Sequence, residues 1–219
     1  MRRSKSLLWL DIENPEDEQI ELLLEVFGLH PLTMEDVILP NSRPKLEEFD
    51  SYLFLVVQGL RHADDGPRPV ELDICIGKNF LITVRGEAMD SLEQVCTRVE
   101  RRGQVLKQGP DFLLHAIADA LIDSYFPVLE KIEDRVDELE ARLFQDSSDD
   151  VLKELFRVYS ELMVLRRTLA PHREILSRMH KGELPFLSQA NRHHFRDIYD
   201  HLLRMSDLAD SCREVTTMS

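Results

Sequence analysis

The stretch Asp111–Gln145, DFLLHAIADALIDSYFPVLEKIEDRVDELEARLFQ, decides the architecture. It contains no glycine and one proline, Pro127, and its apolar residues recur at Leu113, Ile117, Leu121, Val128, Ile132, Val136, Leu139 and Leu143. Steps of mostly four residues are the stripe of an amphipathic helix. Unbroken, such a helix is about 50 Å long at its ordinary rise, longer than a small domain is wide. The following DSSDD at 146–150 reads as a turn and a cap. A second helix is predicted over about 149–181, kinked or broken at Pro171. Gly182 and Pro185 then separate it from a third helix running from about 186 to the end. Two long antiparallel helices and a third form a stalk rather than a compact bundle.

Upstream of this stretch the pattern changes. SLLWLDI (6–12) reads as a strand, and Asn14-Pro15 starts a helix, because Asn caps and Pro tolerates the first turn. Its apolar positions Ile20, Leu23, Leu24 and Phe27 keep helical spacing, and Gly28 stops it. HPLTMEDVI (30–38) is a short helix. YLFLVVQGL (52–60) and ELDICIGKNFLITVRG (71–86) are strands, with Gly77-Lys78-Asn79 as a hairpin turn. SLEQVCTRVERRG (91–103) is an amphipathic helix. The predicted organisation is therefore an α/β domain over 1–108, a mixed sheet flanked by helices. A long acidic helical hairpin follows over 109–185, and the start of a stalk helix over 186–219.

A formal net charge of -14 argues against nucleic acid, whose phosphates need clustered Lys and Arg. It suits hard divalent cations, which take oxygen ligands. Cys75, Cys96 and Cys212 are scattered and form no CxxC, which excludes a zinc ribbon and a redox motif and fits a reducing compartment. Cys75 lies in the apolar run ICI and reads as a buried small hydrophobe. The apolar run after the basic MRRSK is too short for a signal peptide. Nowhere do about 18 apolar residues run consecutively, so no segment reads as membrane-spanning. The last residues, DLADSCREVTTMS, keep helical rhythm without Gly or Pro, and read as a chain boundary inside a helix.

Between Asp111 and Asp150 twelve acids stand against Lys131, Arg135 and Arg142, so this segment is a solvated face that repels itself unless cations screen it. Three acid groups bear on chemistry. Glu35 and Asp36 are adjacent. Asp119 and Asp123 are four apart on one helix face, in apolar surroundings where an unpaired charge is costly. Asp197 and Asp200 are three apart and share a face. Sparse carboxylates from separate segments suit Mg²⁺, which binds one or two carboxylates and keeps its waters. Taken alone, each pair is more readily explained as salt-bridged or exposed side chains than as ligands. His194, Asp197 and His201 also share a face, and imidazole with carboxylate suits Zn²⁺ or Co²⁺. A polar helix surface is the plainer account of them. His115, among apolar residues, reads as a hydrogen-bonded core histidine, and Trp9, Tyr52, Phe54 and Phe80 read as core. GxSxG, HExxH, GxGxxG and P-loop signatures are absent, so no enzyme site is read.

In order and at matching spacing, HPLTMED, RPKLEEFDSYLFLVV, DALIDSYFPVLEKIEDRVDELE, LRRTLAPHREILSRM and FRDIYDH resemble the CorA family of magnesium transporters. The resemblance covers nearly the whole chain. It implies the cytoplasmic portion of a homopentamer in the cell inner membrane, with a stalk helix leading to two membrane helices absent from this sequence. A Gly-Met-Asn signature between those helices would mark the pore mouth. The resemblance further implies a regulatory metal site between neighbouring subunits, made by Glu35, Asp36, Asp119 and Asp197, with Asp123 and Asp200 as second-ranked acids. Mg²⁺ is the implied ion, with Co²⁺, Ni²⁺ and Zn²⁺ as alternatives. It would bridge subunits and hold the pore closed while cytoplasmic Mg²⁺ is high. Two other readings stand: a zinc transporter of the same architecture, favoured by the His194/Asp197/His201 face, and a soluble helical scaffold.

Overall fold

The structure, a computed structural model, describes residues 7–39, 43–63, 66–102, 104–143, 149–182 and 184–218. In chain order its elements are β1 (Leu8–Glu13), α1 (Asp17–Phe27), α2 (Pro31–Ile38), β2 (Lys45–Glu48), β3 (Tyr52–Ala63), β4 (Gly66–Gly77), β5 (Phe80–Arg85), α3 (Asp90–Arg102), α4 (Gln104–Lys107), α5 (Pro110–Asp123), α6 (Phe126–Leu143), α7 (Asp149–Lys181) and α8 (Arg192–Met218). The strands make one sheet in the order β1-β5-β4-β3-β2; β1 runs parallel to β5 and every other pair is antiparallel.

Successive strand residues point to opposite faces, so one apolar run can supply two cores. In β3, Leu53, Leu55 and Val57 join Leu72, Ile74 and Ile76 of β4 beneath the long helices. Tyr52, Phe54 and Val56, with Cys75, Ile82 and Val84, face the other way, against Ile20 and Leu23 of α1 and Met34 of α2. Burial on both faces explains why YLFLVV is continuous rather than alternating. The first of these cores runs unbroken from the strands through α5 to Ala209 and Cys212 of α8.

The predicted strands, the 77–79 turn and the helices at 17–27, 31–38 and 90–102 are present. Gly28 ends α1 in the left-handed conformation (φ 64°), which glycine adopts without a Cβ penalty. A Cβ on Gly77 would lie 2.3 Å from the Phe80 ring, so a larger residue in the hairpin turn has to displace that ring.

Other expectations are corrected. α1 starts at Asp17, not at Asn14-Pro15: Glu16 is its cap, and Glu16 and Gln19 form a reciprocal capping box. LEE at 46–48 pairs with β3 as β2, a strand that the charge-rich sequence hid. The single helix over 111–145 is two, because a turn at Ser124–Tyr125 separates α5 from α6. Pro127 has no N–H for the Asp123 carbonyl, and the chain turns just before it. Pro171 does not break α7, which continues to Lys181 while Leu165, Leu169, Ile175, Leu176 and Met179 bury its face on both sides of the proline. The third helix begins at Arg192, after a 3₁₀ turn at Gln189–Asn191. Of the DSSDD turn, only Asp149 and Asp150 lie within the described residues, where they open α7. Pro110–Arg142 is by length and composition apolar enough to cross a membrane, but 50% of its apolar window is buried inside the fold, so packing accounts for its apolarity.

Candidate metal centre

The candidate ligands fall on two sides of the sheet. Glu35 and Asp36 ride on α2, whose start is fixed from both ends of its first turn. His30 caps it, with Nδ1 accepting from the Leu32 N–H at 3.2 Å, and Pro31 takes the first helical position. The buried Tyr52 hydroxyl accepts from the His30 N–H at 2.9 Å and shares a 2.6 Å hydrogen bond with Thr33 Oγ1. Phe49 stacks on Tyr52 with ring centroids 4.7 Å apart. With Met34 buried below, α2 leaves Glu35 exposed and Asp36 half-buried.

Asp36 has a cation already. Lys45 Nζ donates to Asp36 Oδ2 at 2.6 Å and to Glu47 Oε1 at 3.0 Å. Partial burial lowers the affinity of the Lys45 ammonium for its proton, and its bonds to the two carboxylates more than offset this, leaving its pKa raised. The lysine of RPK therefore neutralises this acidic edge. No reading of the motif as nucleophile or base is needed.

The second group lies where α5 meets α8. Asp119 is half-buried, and Asp123, one turn on, is exposed. Partial burial and then the neighbouring Asp119 charge raise the Asp123 pKa, while His201 of α8 and Arg98 of α3 oppose them. His115, one turn before Asp119, has its ring centroid 4.7 Å from that of His194. Burial, then the His194 charge, push His115 down to about 4, with the Asp197 carboxylate acting the other way. Asp119, Asp123, Asp197 and His201 thus share one electrostatic neighbourhood. Asp197 and His201 are exposed on it. Asp200 departs from the set, with Arg196 Nε 3.9 Å from its Oδ2.

Among the described residues no three His, Cys, Asp or Glu side chains converge as a metal site. The eight candidates therefore form two half-sets: α2 packs on the core that includes Tyr52 and Phe54, α5 and α8 on the opposite one. The His194/Asp197/His201 arrangement expected for Zn²⁺ is not assembled either. The His194 ring packs against Phe112, His115 and His193 instead. His115 Nδ1 is buried without a hydrogen-bond partner, and the ring packs on Phe112 and His194. What the two half-sets offer is exposed or half-exposed carboxylates, the donors a hydrated Mg²⁺ accepts.

Three residues absent from the sequence reading hold the helices to the sheet. β2 pairs with β3 only as far as Val56, which leaves the edge beyond it open. Gln58 N–H donates to His172 Nε2 at 3.0 Å, Tyr125 O–H donates to the Gln58 carbonyl at 2.6 Å, and Leu60 N–H donates to Ser124 Oγ at 3.3 Å. His172 Nδ1 lies 2.7 Å from the Thr168 carbonyl, which makes it the N–H donor and keeps Nε2 an acceptor. Full burial pushes His172 down to about 4. A buried sheet edge needs such partners. The one sequence cue was the Ser-Tyr pair just before Pro127.

A family model described as CorA-like Mg2+ transporter protein matches residues 4–218. The chain is 34% identical over 209 residues to the putative metal ion transporter YfjQ of Bacillus subtilis, covering 95% of this chain and 65% of that protein. It is 29% identical over 221 residues to the cobalt/magnesium transport protein CorA of Thermotoga maritima, covering 99% of this chain and 63% of that protein. It thus spans just under two thirds of the length of either relative. The soluble domain of CorA from Methanocaldococcus jannaschii superposes with a TM-score of 0.83 at 23% identity, over 96% of this chain and 84% of that one.

Proposed function

We propose, from the premise that this chain belongs to the CorA-like Mg2+ transporter family, that it is the cytoplasmic metal-sensing part of a divalent-cation transporter. The observation that carries the reading is the division of the candidate ligands into two half-sets, with no three-ligand cluster within one copy among the described residues. A cation that uses both half-sets is shared between copies. Asp36, with Glu35, meets Asp197 of a neighbouring copy, and Asp119 stands near. Asp123 and His201 rank behind these by position, and Asp200 and His194 last, because Arg196 and His115 engage them.

In this reading the chain assembles as a homopentamer whose stalk helices continue into the inner membrane, with residues 1–219 on the cytoplasmic side. Residues 1–108 form the sensing α/β domain, 109–185 the helical hairpin and 186–219 the start of the stalk. Mg²⁺ held between copies keeps the ring symmetric and the pore closed. Its loss leaves facing carboxylates that repel, and the copies shift. Mg²⁺ is the sensed ion and, with Co²⁺, the transported one; the name of the Thermotoga maritima relative, a cobalt/magnesium transport protein, supports the choice of transported ions. Ni²⁺ and Zn²⁺ are the alternatives, favoured where an imidazole such as His201 joins the carboxylates.

Complementation between variants of the membrane-inserted protein tests the sharing. Asp36→Ala and Asp197→Ala each abolish protection from protease by Mg²⁺ when expressed alone. Coexpressed in equal amounts, they restore intact sites at about a quarter of the interfaces, since each interface draws one acid from each side. Failure of coexpression to restore protection, or protection that survives in either single variant, refutes a shared site.

A further inference from the structure

A cleft of 880 Å³ opens on the α1–α2 side of the sheet, a volume in the range of small-molecule sites. Ile20 of α1, Val37 and Ile38 of α2 and Val84 of β5 give it apolar walls. Asp73 of β4 lines it and is 6% exposed, and its Oδ1 has no hydrogen-bond partner. A buried carboxyl oxygen left unpaired is costly, and folded proteins rarely keep one without use.

The charged groups around it are paired elsewhere, and only Arg85 Nε among them keeps no partner of its own. In the sheet Asp73 lies opposite Val56 and Val84, which offer no polar side chain. Arg85 is committed to Asp11 and Glu13, at 3.2 and 3.1 Å. Lys45 is held by Asp36 and Glu47. Arg68, at the mouth, is held by Glu87. The lining also carries Asp17 and Glu71, so acids outnumber bases in it.

We propose that this cleft binds a small organic cation, whose ammonium or guanidinium group donates to Asp73 and whose carbon frame lies on Ile20, Val37, Ile38 and Val84. A metal ion fits less well: the described residues hold no three-ligand cluster, and a hydrated ion would leave apolar walls against water. Burial, then the charges of Glu71 and Asp36, push Asp73 up to about 8, with Lys45 opposing. Asp17 of α1 faces the same space, while β3 and β5 add no further acid beside it. An incoming cation therefore displaces a proton. Affinity rises about tenfold per pH unit up to that value and levels off above it. Val37 and Ile38 directly follow Asp36, so an occupant touches the helix that carries Glu35 and Asp36. That coupling rests on the metal-sensing reading, whereas the binding itself does not.

Calorimetric titration of the purified chain with agmatine, spermidine and cyclohexylamine, and with Mg²⁺ alone, tests the proposal. At least one amine binds one-to-one with a Kd below about 1 mM at pH 8.5, and about tenfold or more weaker at pH 6.5. Asp73→Asn, which removes a buried charge and keeps the shape, abolishes that binding while circular dichroism stays unchanged. Asp36→Ala keeps it, so a failed metal site and a failed cleft give different results. The proposal is overturned if no amine binds below about 10 mM, if Asp73→Asn binds equally, or if Mg²⁺ alone displaces the amine.

Discussion

Replacing Asp73 by asparagine should stabilise the protein by an amount that grows with pH. Asp73 has its pKa raised from 3.8 to about 8 by burial first, then by Glu71 and Asp36. The folded state holds this proton more tightly than the unfolded chain does. Its favourable contribution is complete below the unfolded value of 3.8 and is lost as pH rises towards 8. Each unit is worth about 1.4 kcal/mol, so the full difference reaches roughly 5 kcal/mol. Water entering the adjoining cleft solvates the carboxylate and lowers this to a few kcal/mol. Asparagine cannot ionise and escapes the loss. Urea unfolding of both proteins at pH 4.5, 6, 7, 8 and 9 measures the difference, in which all other titrating groups cancel. The variant should be near the parent at pH 4.5, gain steadily to pH 8 and then stay level. Parallel curves, or a difference that shrinks with pH, would show that Asp73 ionises freely in the folded state and that its surroundings have been misread.

The edge clamp and the metal edge give further tests. His172, pushed down to about 4 from 6.5, contributes stability that is complete above 6.5 and lost as pH falls towards 4. His172→Gln should flatten the acid limb of urea midpoints, worth up to about 3 kcal/mol in the parent. Tyr125→Phe removes the buried hydroxyl that donates to the Gln58 carbonyl and should cost about 1–3 kcal/mol by denaturant titration. Lys45→Met removes the internal competitor for Asp36, so the Mg²⁺ concentration giving half-maximal protease protection should fall about two- to fivefold. An unchanged or higher midpoint would mean that Asp36 takes no part in binding.

How much the sequence revealed depends on how local each signal was. Hydrophobic period and turn chemistry placed β1, β3, β4, β5 and the helices α2, α3 and α7, because each is dictated by its own residues. What failed was long-range. β2 is a strand only because β3 offers it an edge, and KLEE alone has no strand pattern. Pro171 reads as a breaker until the apolar face it interrupts is seen buried on both sides. Spacing alone left the acids as three separate groups, and only the fold puts them on opposite faces of the sheet. Asp73 was legible as an anomaly, a charge inside ELDICIG, but its exclusion from every neighbouring base depends on strand register. The Lys45–Asp36 pair was hidden for the same reason. Nine residues separate the two, and only the return of β2 alongside α2 brings them together.

The division of the ligands bears on how a proposed pentamer could sense an ion. Each face of the sheet carries a buried apolar core, and such interiors resist gradual deformation. α2 is pinned by Tyr52 through two hydrogen bonds, and α5 is pinned at its end by Ser124 and Tyr125 on β3. The half-sets therefore move as rigid bodies with the copies that carry them, and an ion between them is lost or gained only as one copy moves against the next. Moving a two-state equilibrium from mostly closed to mostly open takes about 5.5 kcal/mol of differential binding. One exposed carboxylate site competing with its own lysine supplies about 1 kcal/mol of this. Five equivalent interfaces supply about 5 kcal/mol together, enough only if all respond as one. A ring with a single disabled interface should therefore keep about four fifths of the bias, and one with all five disabled should lose it. Rings of tandem-linked subunits carrying one to five Asp197→Ala copies can be ranked by protease sensitivity at fixed Mg²⁺. A graded, monotonic series supports additive interfaces. Complete loss at the first substitution would instead place the sensing in a single ion shared by all copies, and the two half-sets would no longer explain it.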